Sequence, residues 1–431
     1  MSSTELDVDI NIFTRPEGIA EPFKYYDHFR PKSPVPGYVD WSPGTVPGID
    51  PPYTAWALFT YEQVLHVLRH PEIFSNRDPA QEESAAPSLM LEGHDDPEHA
   101  RLRKLVSQAF TPRRIAALGP FLQEQITEAL DRLGEGTFDA CEALAPVLPT
   151  RSMGKLLGLP GVSFEKLQDW ANAFMQSAPL SPEERQARCV EMIQVVTQSV
   201  LARKGALDAQ AGALAIEDVD DLITALLLAN EAGRAEVTPG EIERGTHAGR
   251  SGLTVEDIVL FVTTLLVAGN ETTISLSAHC LNALARLPEV QTVVREDRSL
   301  VNNFIDETMR LYGSGQRLFK WVLEDTQIDG HKIAKDEWVA IFLIAANRDP
   351  AVFPDPNTFD LHRANVRQHL SFGHGIHYCL GAALGRLNVA TLVNAVLDRY
   401  STIEPTDEAP TVGTVSIFTH ALWRLPLELR H

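Results

Sequence analysis

The chain has 431 residues, 44% apolar and 22% charged, with a formal net charge of −21. That length and apolar share can bury a large core, as one large or two ordinary domains. The acidic balance argues against nonspecific nucleic-acid binding and favours solubility. The four cysteines, Cys141, Cys189, Cys280 and Cys379, are far apart and show no framework spacing. Reduced thiols and a cytoplasmic protein are therefore expected. The start, MSSTELDVDI, is polar and acidic and is no secretory signal. The longest apolar run, Ile258 to Gly269, is interrupted by Thr263 and Thr264 and is too short to span a bilayer, so no membrane association is expected.

No internal repeat is visible. The first ~55 residues are rich in Pro and Gly and are expected to wrap the surface. Thr60 to Leu68 reads as a helix with Val64, Leu65 and Leu68 on its apolar side. Residues 75–95 lack periodicity and read as a long loop with at most one short helix, a lid or binding loop by its length. Helical periodicity returns from Pro97 to Phe110, where His99 and Arg103 lie one turn apart on one face. Alone, that pair is compatible with an ordinary amphipathic basic helix. Pro112 opens the next helix, with Ile115, Leu118, Leu122, Ile126 and Leu130 on one side. Further helices fit Leu156–Leu159, Phe164–Gln176, Pro182–Arg203 and Val219–Asn230, and the polar stretch 231–253 reads as a mobile loop.

Thr254 has the character of an N-cap, with Asp257 in a box-like position three residues on. The helix it starts can run to Arg286, roughly 45–50 Å at 1.5 Å per residue. Within it, Ala268-Gly269-Asn270-Glu271-Thr272-Thr273 interrupts the apolar stripe. Either the hydroxyls bond back to helix carbonyls in a solvated turn, or Gly269 distorts the helix and opens a groove for a small ligand, with hydroxyls and an acid delivering protons there. Glu307 and Arg310 share a helix face. Strand-like pieces occur only at 319–345 and 411–427, so the chain is mainly α with a small β portion.

The most informative segment is Phe372-Gly-His-Gly-Ile-His-Tyr-Cys379-Leu-Gly381, followed by a helix-like run from Ala382. It places one cysteine at the mouth of a helix, inside a bend built from Gly373, Gly375 and Gly381. A thiolate there gains from unpaired N–H groups and the helix dipole. The glycines let backbone approach a flat, bulky group, and Phe372 offers an apolar face beside the sulfur. A thiolate held this way is a metal ligand, and a haem iron with one Cys ligand favours O–O cleavage. Two bland readings are an inert core cysteine and a common glycine turn before a helix. A zinc reading on His369, His374, His377 and Cys379 lacks the paired, short-spaced ligands zinc prefers.

The spacing F-x-x-G-x-x-x-C-x-G in HLSFGHGIHYCLGAAL resembles the haem-binding signature of the cytochrome P450 family. AGNETT is similar to that family's oxygen-activation motif, DETMR with Arg363 to its E-x-x-R ion network, and DDPEHARLR to its propionate-binding helix. AANRDP and FPDPNTFDLHR agree as well. The resemblance spans roughly residues 55 to 430, and it implies a single haem domain over 1–431 with a cytochrome P450 fold and a long central helix crossing the molecule. It implies haem b with Cys379 as the iron ligand. His99, Arg103 and His377 then hold the propionates, and Ala268, Phe372 and Gly381 complete the cofactor contacts. Thr272 becomes the hydroxyl at the oxygen site and Glu271 the proton relay. Leu89, Met90, Leu265, Val267, Gly315 and Phe418 are the pocket candidates.

Three departures stand out. Lys320 occupies the position of a propionate-binding Arg, supplying charge without the bidentate fork. Gly313-Ser314-Gly315 replaces a Pro-rich turn and is expected to reshape one pocket wall. Leu384-Gly385-Arg386-Leu387-Asn388 replaces the usual L-A-R-x-E.

The implied activity is monooxygenation of a small or medium apolar organic substrate with O2. Without a flavin fingerprint or iron–sulfur cysteine cluster in this sequence, electrons are expected from NAD(P)H through a ferredoxin and its reductase. Arg101, Lys104, Arg113, Arg114 and Arg386 could form a basic patch for such an acidic partner, or be scattered solvated charges. A monomer is expected. Other haem-thiolate activities (peroxygenase, isomerase) and a haem sensor are the alternatives. The acid–alcohol pair argues against the former and the lack of an output domain against the latter.

Overall fold

An apolar helix that starts on a reciprocal cap and runs for 32 residues organises the chain. In the computed structural model Thr254 Oγ1 accepts from the Asp257 amide at 3.0 Å, and the Asp257 carboxylate accepts from the Thr254 amide at 2.7 Å. This is the capping box its sequence suggests. The helix then continues from Val255 to Arg286. The structure describes residues 7–39, 54–77, 79, 91–159, 162–174, 180–209, 214–216, 219–235, 253–414 and 418–431.

This central helix has the length and apolar composition of a membrane span, yet 67% of its apolar window is buried inside the protein. Thr263 and Thr264, which break the apolar run in sequence, are buried too. The Thr264 hydroxyl donates to the Leu260 carbonyl at 2.8 Å, which hides its polarity within the helix. Helices Val147–Leu157, Phe164–Phe174, Pro182–Ala209, Val301–Tyr312 and Ala382–Arg399 pack around it. Leu266, Leu281 and Leu284 are fully or almost fully buried in one large cluster.

The strands are β1 (Val35–Val39), β2 (Thr54–Leu58), β3 (Phe74–Ser75), β4 (Gly136–Asp139), β5 (Arg317–Val322), β6 (Thr326–Ile328), β7 (His331–Ile333), β8 (Trp338–Phe342), β9 (Thr402–Pro405), β10 (Thr411–Val412), β11 (Leu422–Arg424) and β12 (Pro426–Arg430). The largest sheet has the order β1-β2-β8-β5-β3, and β4-β12-β9 form a smaller one. β2 and β8 run parallel, while β5 pairs antiparallel with β8, setting Lys320 opposite Val339.

The mainly α architecture with its long central helix agrees with the sequence reading, but several boundaries move. Strands occur outside 319–345 and 411–427, because β1, β2, β3, β4 and β9 are short and carry little alternation. The helix expected from Pro112 is two, Pro112–Ala116 and Gly119–Leu133, divided by a turn ahead of Gly119-Pro120. Leu156–Leu159 is the end of Val147–Leu157, which closes on Gly158 in the left-handed region (φ +73°). Pro182–Arg203 extends to Ala209 and Val219–Asn230 shifts to Leu222–Ala235. Residues 78 and 80–90 of the expected lid, and 236–252 of the expected mobile loop, lie outside the described residues.

The N-terminal stretch does not merely wrap the surface. Phe13, Tyr25, Tyr26, Phe29 and Tyr38 build an aromatic core with Phe59 and Phe342. The Phe13 and Phe342 rings lie 4.9 Å apart. Aromatic side chains bury 150–250 Å² each, so their burial outweighs the Pro- and Gly-rich composition that suggests a loose arm.

A charged network is sealed in the interior. Glu307 and Arg310 are fully buried and Arg363 nearly so. Arg310 donates to both Glu307 oxygens at 2.7 and 2.8 Å, and Arg363 Nε donates to the same carboxylate at 3.0 Å. The remaining guanidinium donors bind the carbonyls of Asn347, Pro354, Pro356 and Thr358. One carboxylate thus fixes a long irregular segment to a helix. Removing Arg363 leaves Glu307 paired with Arg310 but takes a charged donor from that carboxylate and from the Pro354 and Thr358 carbonyls, and a hydrogen bond to a charged group is worth ~1.5–3 kcal/mol. Arg363→Ala is expected to lower the denaturant midpoint by a corresponding amount. A midpoint equal to wild type would show that the segment holds without this anchor.

Candidate functional site

The central helix is buried along its middle except for one line of positions. Leu265 and Thr272 are half-buried and Ala268 is exposed, while Leu266, Val267, Asn270 and Glu271 are buried. The spacing of 265, 268 and 272 is one helical face. Thr272 Oγ1 donates to the Ala268 carbonyl at 2.8 Å. Val267, expected in the pocket, is 2% exposed and belongs to the core on the opposite side. Leu89 and Met90 lie outside the described residues.

Gly269 does not distort the helix, which is α-helical through it. A Cβ there would sit 2.7 Å from Met153 Sδ. The glycine therefore serves a close approach of helix Val147–Leu157 rather than a groove. Asn270 faces the same helix and accepts from Thr150 Oγ1 at 2.8 Å.

The cysteine loop precedes helix Ala382–Arg399. Gly375 has φ +72°, and a Cβ there would meet the Leu68 carbonyl oxygen at 2.7 Å, so both conformation and space demand glycine. The Cys379 amide donates to the Phe372 carbonyl at 2.9 Å, closing the loop. The Phe372 ring lies under the Arg386 guanidinium at 4.4 Å, and Arg386 donates twice to Asp306. Gly381 is the helix N-cap, its Cβ position 3.9 Å from Cys379 Sγ. The helix packs on the central helix, and a Cβ at Gly385 would lie 3.8 Å from Thr273 Oγ1. The cysteine loop thus opens a helix that packs on the central helix next to the residue that follows Thr272.

Burial raises the Cys379 thiol pKa, opposed by the Gly381 amide and the charges of Arg103 and Arg386. The residue is nonetheless solvent-accessible. The two observations agree if the sulfur faces interior space. The Gly381 amide at the helix N-terminus pulls the thiol pKa down, as the sequence reading expects, but burial outweighs it. A coordinated metal reverses that, because it deprotonates a ligating thiol outright.

Cationic and imidazole groups converge beside this loop. Arg103 donates to the Tyr378 carbonyl at 2.8 Å. The rings of His99 and His377 lie 4.3 Å apart. Nε2 of each is buried with no hydrogen-bond partner among the described residues. The His377 pKa falls to about 3, by burial first and then by the charges of Lys320, His99, Arg103 and His94. Lys320, 4% exposed, hydrogen-bonds Asn76. Burial lowers its pKa to about 8, against the pull of Glu92 and Asp95. A cluster of donors and positive charges with orphaned imidazole nitrogens fits an anionic group such as the two carboxylates of haem.

Glu271 points away from the accessible face. Its Oε1 accepts from Thr419 Oγ1 at 2.8 Å, and Oε2 has no partner among the described residues. Burial raises its pKa to about 7, the Thr419 hydrogen bond opposing. Thr419 belongs to a short pairing that the sequence reading missed. The Gln316 amide donates to the Phe418 carbonyl at 2.7 Å and the His420 amide to the Ser314 carbonyl at 3.1 Å. Gly315 and Phe418, both half-buried, lie in that pairing, and a Cβ at Gly315 would meet only Leu343 at 3.9 Å. The signal available in sequence was Ser275 and His279, polar residues four apart on an apolar helix.

The expected basic patch is largely engaged elsewhere. Arg101 donates to Glu98, Arg114 to the Ile216 carbonyl and Arg386 to Asp306.

Comparison with known proteins agrees with this arrangement. A family model described as Cytochrome P450 matches residues 165–421. The chain is 32% identical over 352 residues to the cytochrome P450 monooxygenase PikC of Streptomyces venezuelae, covering 80% of this chain and 77% of the relative. It is 32% identical over 363 residues to the erythromycin C-12 hydroxylase of Saccharopolyspora erythraea, covering 83% and 85%. Among solved structures, P450BioI in complex with hexadec-9Z-enoic acid ligated acyl carrier protein superposes with a TM-score of 0.79 at 27% identity, covering 96% of this chain and 99% of that one.

The close approach at Gly269 makes a stability prediction. Gly269→Ala is expected to destabilise by about 1–3 kcal/mol through overpacking, read from chemical denaturation. In a Met153→Ala background the same change is expected to cost little. Equal costs in both backgrounds would show that Met153 is not the constraint.

Proposed function

The chain belongs to the cytochrome P450 family and is a monooxygenase of it, and from that premise we propose that it is a cytoplasmic, single-domain enzyme binding haem b through Cys379. It oxygenates a small or medium apolar organic substrate with electrons from NAD(P)H passed through a ferredoxin and its reductase. The observation that carries this reading is the partly open face of the buried central helix, with Thr272 on it, and the packing on that helix of the helix that the Cys379 loop opens. Leu265 and Ala268 give that face an apolar character suited to an apolar substrate. One named relative is an erythromycin hydroxylase and another is seen in complex with a fatty-acid-ligated acyl carrier protein, so family membership by itself sets no substrate size.

Haem bound here supplies O2 activation at an iron whose thiolate ligand favours O–O cleavage. Every other contribution is the protein's. His99, Arg103, His377 and Lys320 hold the propionates, Lys320 as a point charge rather than a fork. Phe372, stacked on Arg386, and Gly381 shape the wall beside the sulfur. Thr272 holds its hydroxyl on the Ala268 carbonyl and can turn it toward the open face. Glu271, with a pKa near 7, carries a proton in a large share of molecules at neutral pH, as a proton donor needs.

Two measurements test this. In carbon monoxide difference spectra, Cys379→Ser is expected to lose the thiolate-type band together with all activity, whereas Cys189→Ser keeps both. A thiolate-type band in Cys379→Ser would sink the ligand assignment. With a surrogate ferredoxin and reductase, Thr272→Ala is expected to keep consuming NADH and O2 while releasing mostly peroxide. Glu271→Gln is expected to slow turnover by ~10²–10⁴-fold. A product-to-NADH ratio in Thr272→Ala equal to wild type would remove Thr272 from the chemistry.

A further inference from the structure

Behind the acid–alcohol pair, two short segments grip the central helix at four points. Ser314 Oγ donates to the Thr272 carbonyl at 2.6 Å. Thr419 Oγ1 donates to Glu271 Oε1 at 2.8 Å. The His420 carbonyl accepts from Ser275 Oγ at 2.9 Å and from His279 Nε2 at 2.8 Å. The segments are themselves locked together by the bridge between Gly315 and Thr419 and by Gln316 Nε2 donating to the Thr419 carbonyl at 3.2 Å. Ser314, Thr419, His420, Ser275 and His279 are each at most 6% exposed. Water does not compete for these bonds, so the geometry is set by the protein alone.

We propose that Thr419 is the positioning residue of the oxygenation reaction, fixing the Glu271 carboxyl so that its transferable proton sits on Oε2. The proposal rests on the reading of Glu271 as proton donor. A hydroxyl that donates to Oε1 engages a lone pair of that oxygen and favours it as the carbonyl oxygen of the neutral acid. In the neutral acid the proton then resides on Oε2, the oxygen without a partner among the described residues. In the anion the same hydrogen bond stabilises the charge. Removing it would leave burial unopposed, and the pKa would rise from its value near 7.

No charged side chain contributes to the Glu271 shift, whose causes are burial and Thr419. The titratable groups nearby are His279 on the same helix and His420 beside Thr419. Both are depressed by burial, to about 4 and about 3, and are therefore neutral in the working range. Their carbonyl-bound and stacked arrangement, with rings 5.3 Å apart and nearly parallel, supports the clamp without competing for the proton.

The test is infrared spectroscopy of the protonated carboxyl band in the holoenzyme as pH is varied. Glu271→Gln identifies the band by its loss. In Thr419→Val, nearly the same shape without the donor, the band is expected to move to higher frequency. Its titration midpoint is expected to rise by about one pH unit or more, since a hydrogen bond to a charged group is worth ~1.5–3 kcal/mol. The pH above which product formation declines should rise with it. Thr419→Ser is expected to restore band, midpoint and profile, and the carbon monoxide spectrum checks that each variant is folded. An unchanged band and midpoint in Thr419→Val, with Glu271→Gln still impaired, overturns the proposal alone. Wild-type turnover and coupling in Glu271→Gln removes the premise, and the proposal with it.

Discussion

A helix buried on nearly every side can show its chemistry only where its neighbours step back. Along the middle of Val255–Arg286 the packing helices cover most positions, and Ala268, flanked on its face by half-buried Leu265 and Thr272, is the exposed one. Thr272 is on that face and Glu271 immediately behind it, one residue and about 100° around the helix apart. The two groups therefore live in different dielectric surroundings although they are adjacent in sequence. The hydroxyl can reach the open side. The acid is desolvated, which is what lifts its pKa toward neutrality.

The second constraint is electrostatic. Beside the cysteine loop, Arg103, Lys320, His99 and His377 are brought together by a helix, a strand and a loop from three regions of the chain. Such a gathering of donors is costly unless an anion satisfies it. Glu92 and Asp95 offset part of that cost at Lys320, but no neighbour among the described residues binds the Nε2 atoms of His99 and His377. The thiol obeys the same rule. Burial favours its neutral form, and only a strong local cation reverses that. Both halves of the site thus read as a receptor for a metal chelate bearing carboxylates.

Much of this was legible because motif spacing encodes local geometry. The Cys379 loop needs glycine at position 375 for a positive φ, and the capping box fixes where the central helix begins. Pairings remote in sequence were not legible. The aromatic core of the N-terminal segment depends on Phe59 and Phe342, far along the chain. Val267 is apolar and adjacent to Ala268, and only the angular position of its neighbours assigns it to the core. Gly269 is a similar case. Its spacing suggests a kink, and the reason for it is the sulfur of Met153 on another helix.

The departures from the family pattern are not equivalent. Asn388, in place of an acid, is buried and donates to Ser152 Oγ at 3.0 Å, a neutral bond that needs no counter-charge. Lys320 is more consequential, because a buried ammonium with a pKa near 8 can lose its charge in a range where a guanidinium cannot. The Gly313-Ser314-Gly315 turn does not simply loosen the wall. Gly313 takes φ +46° to leave its helix, and Gly315 pairs with Thr419. Ser314 between them donates to the carbonyl of Thr272. A turn rich in proline would lack backbone donors, and in this chain a side-chain hydroxyl reaches the central helix. The flexibility implied by two glycines is thereby confined to the residues that flank a fixed point.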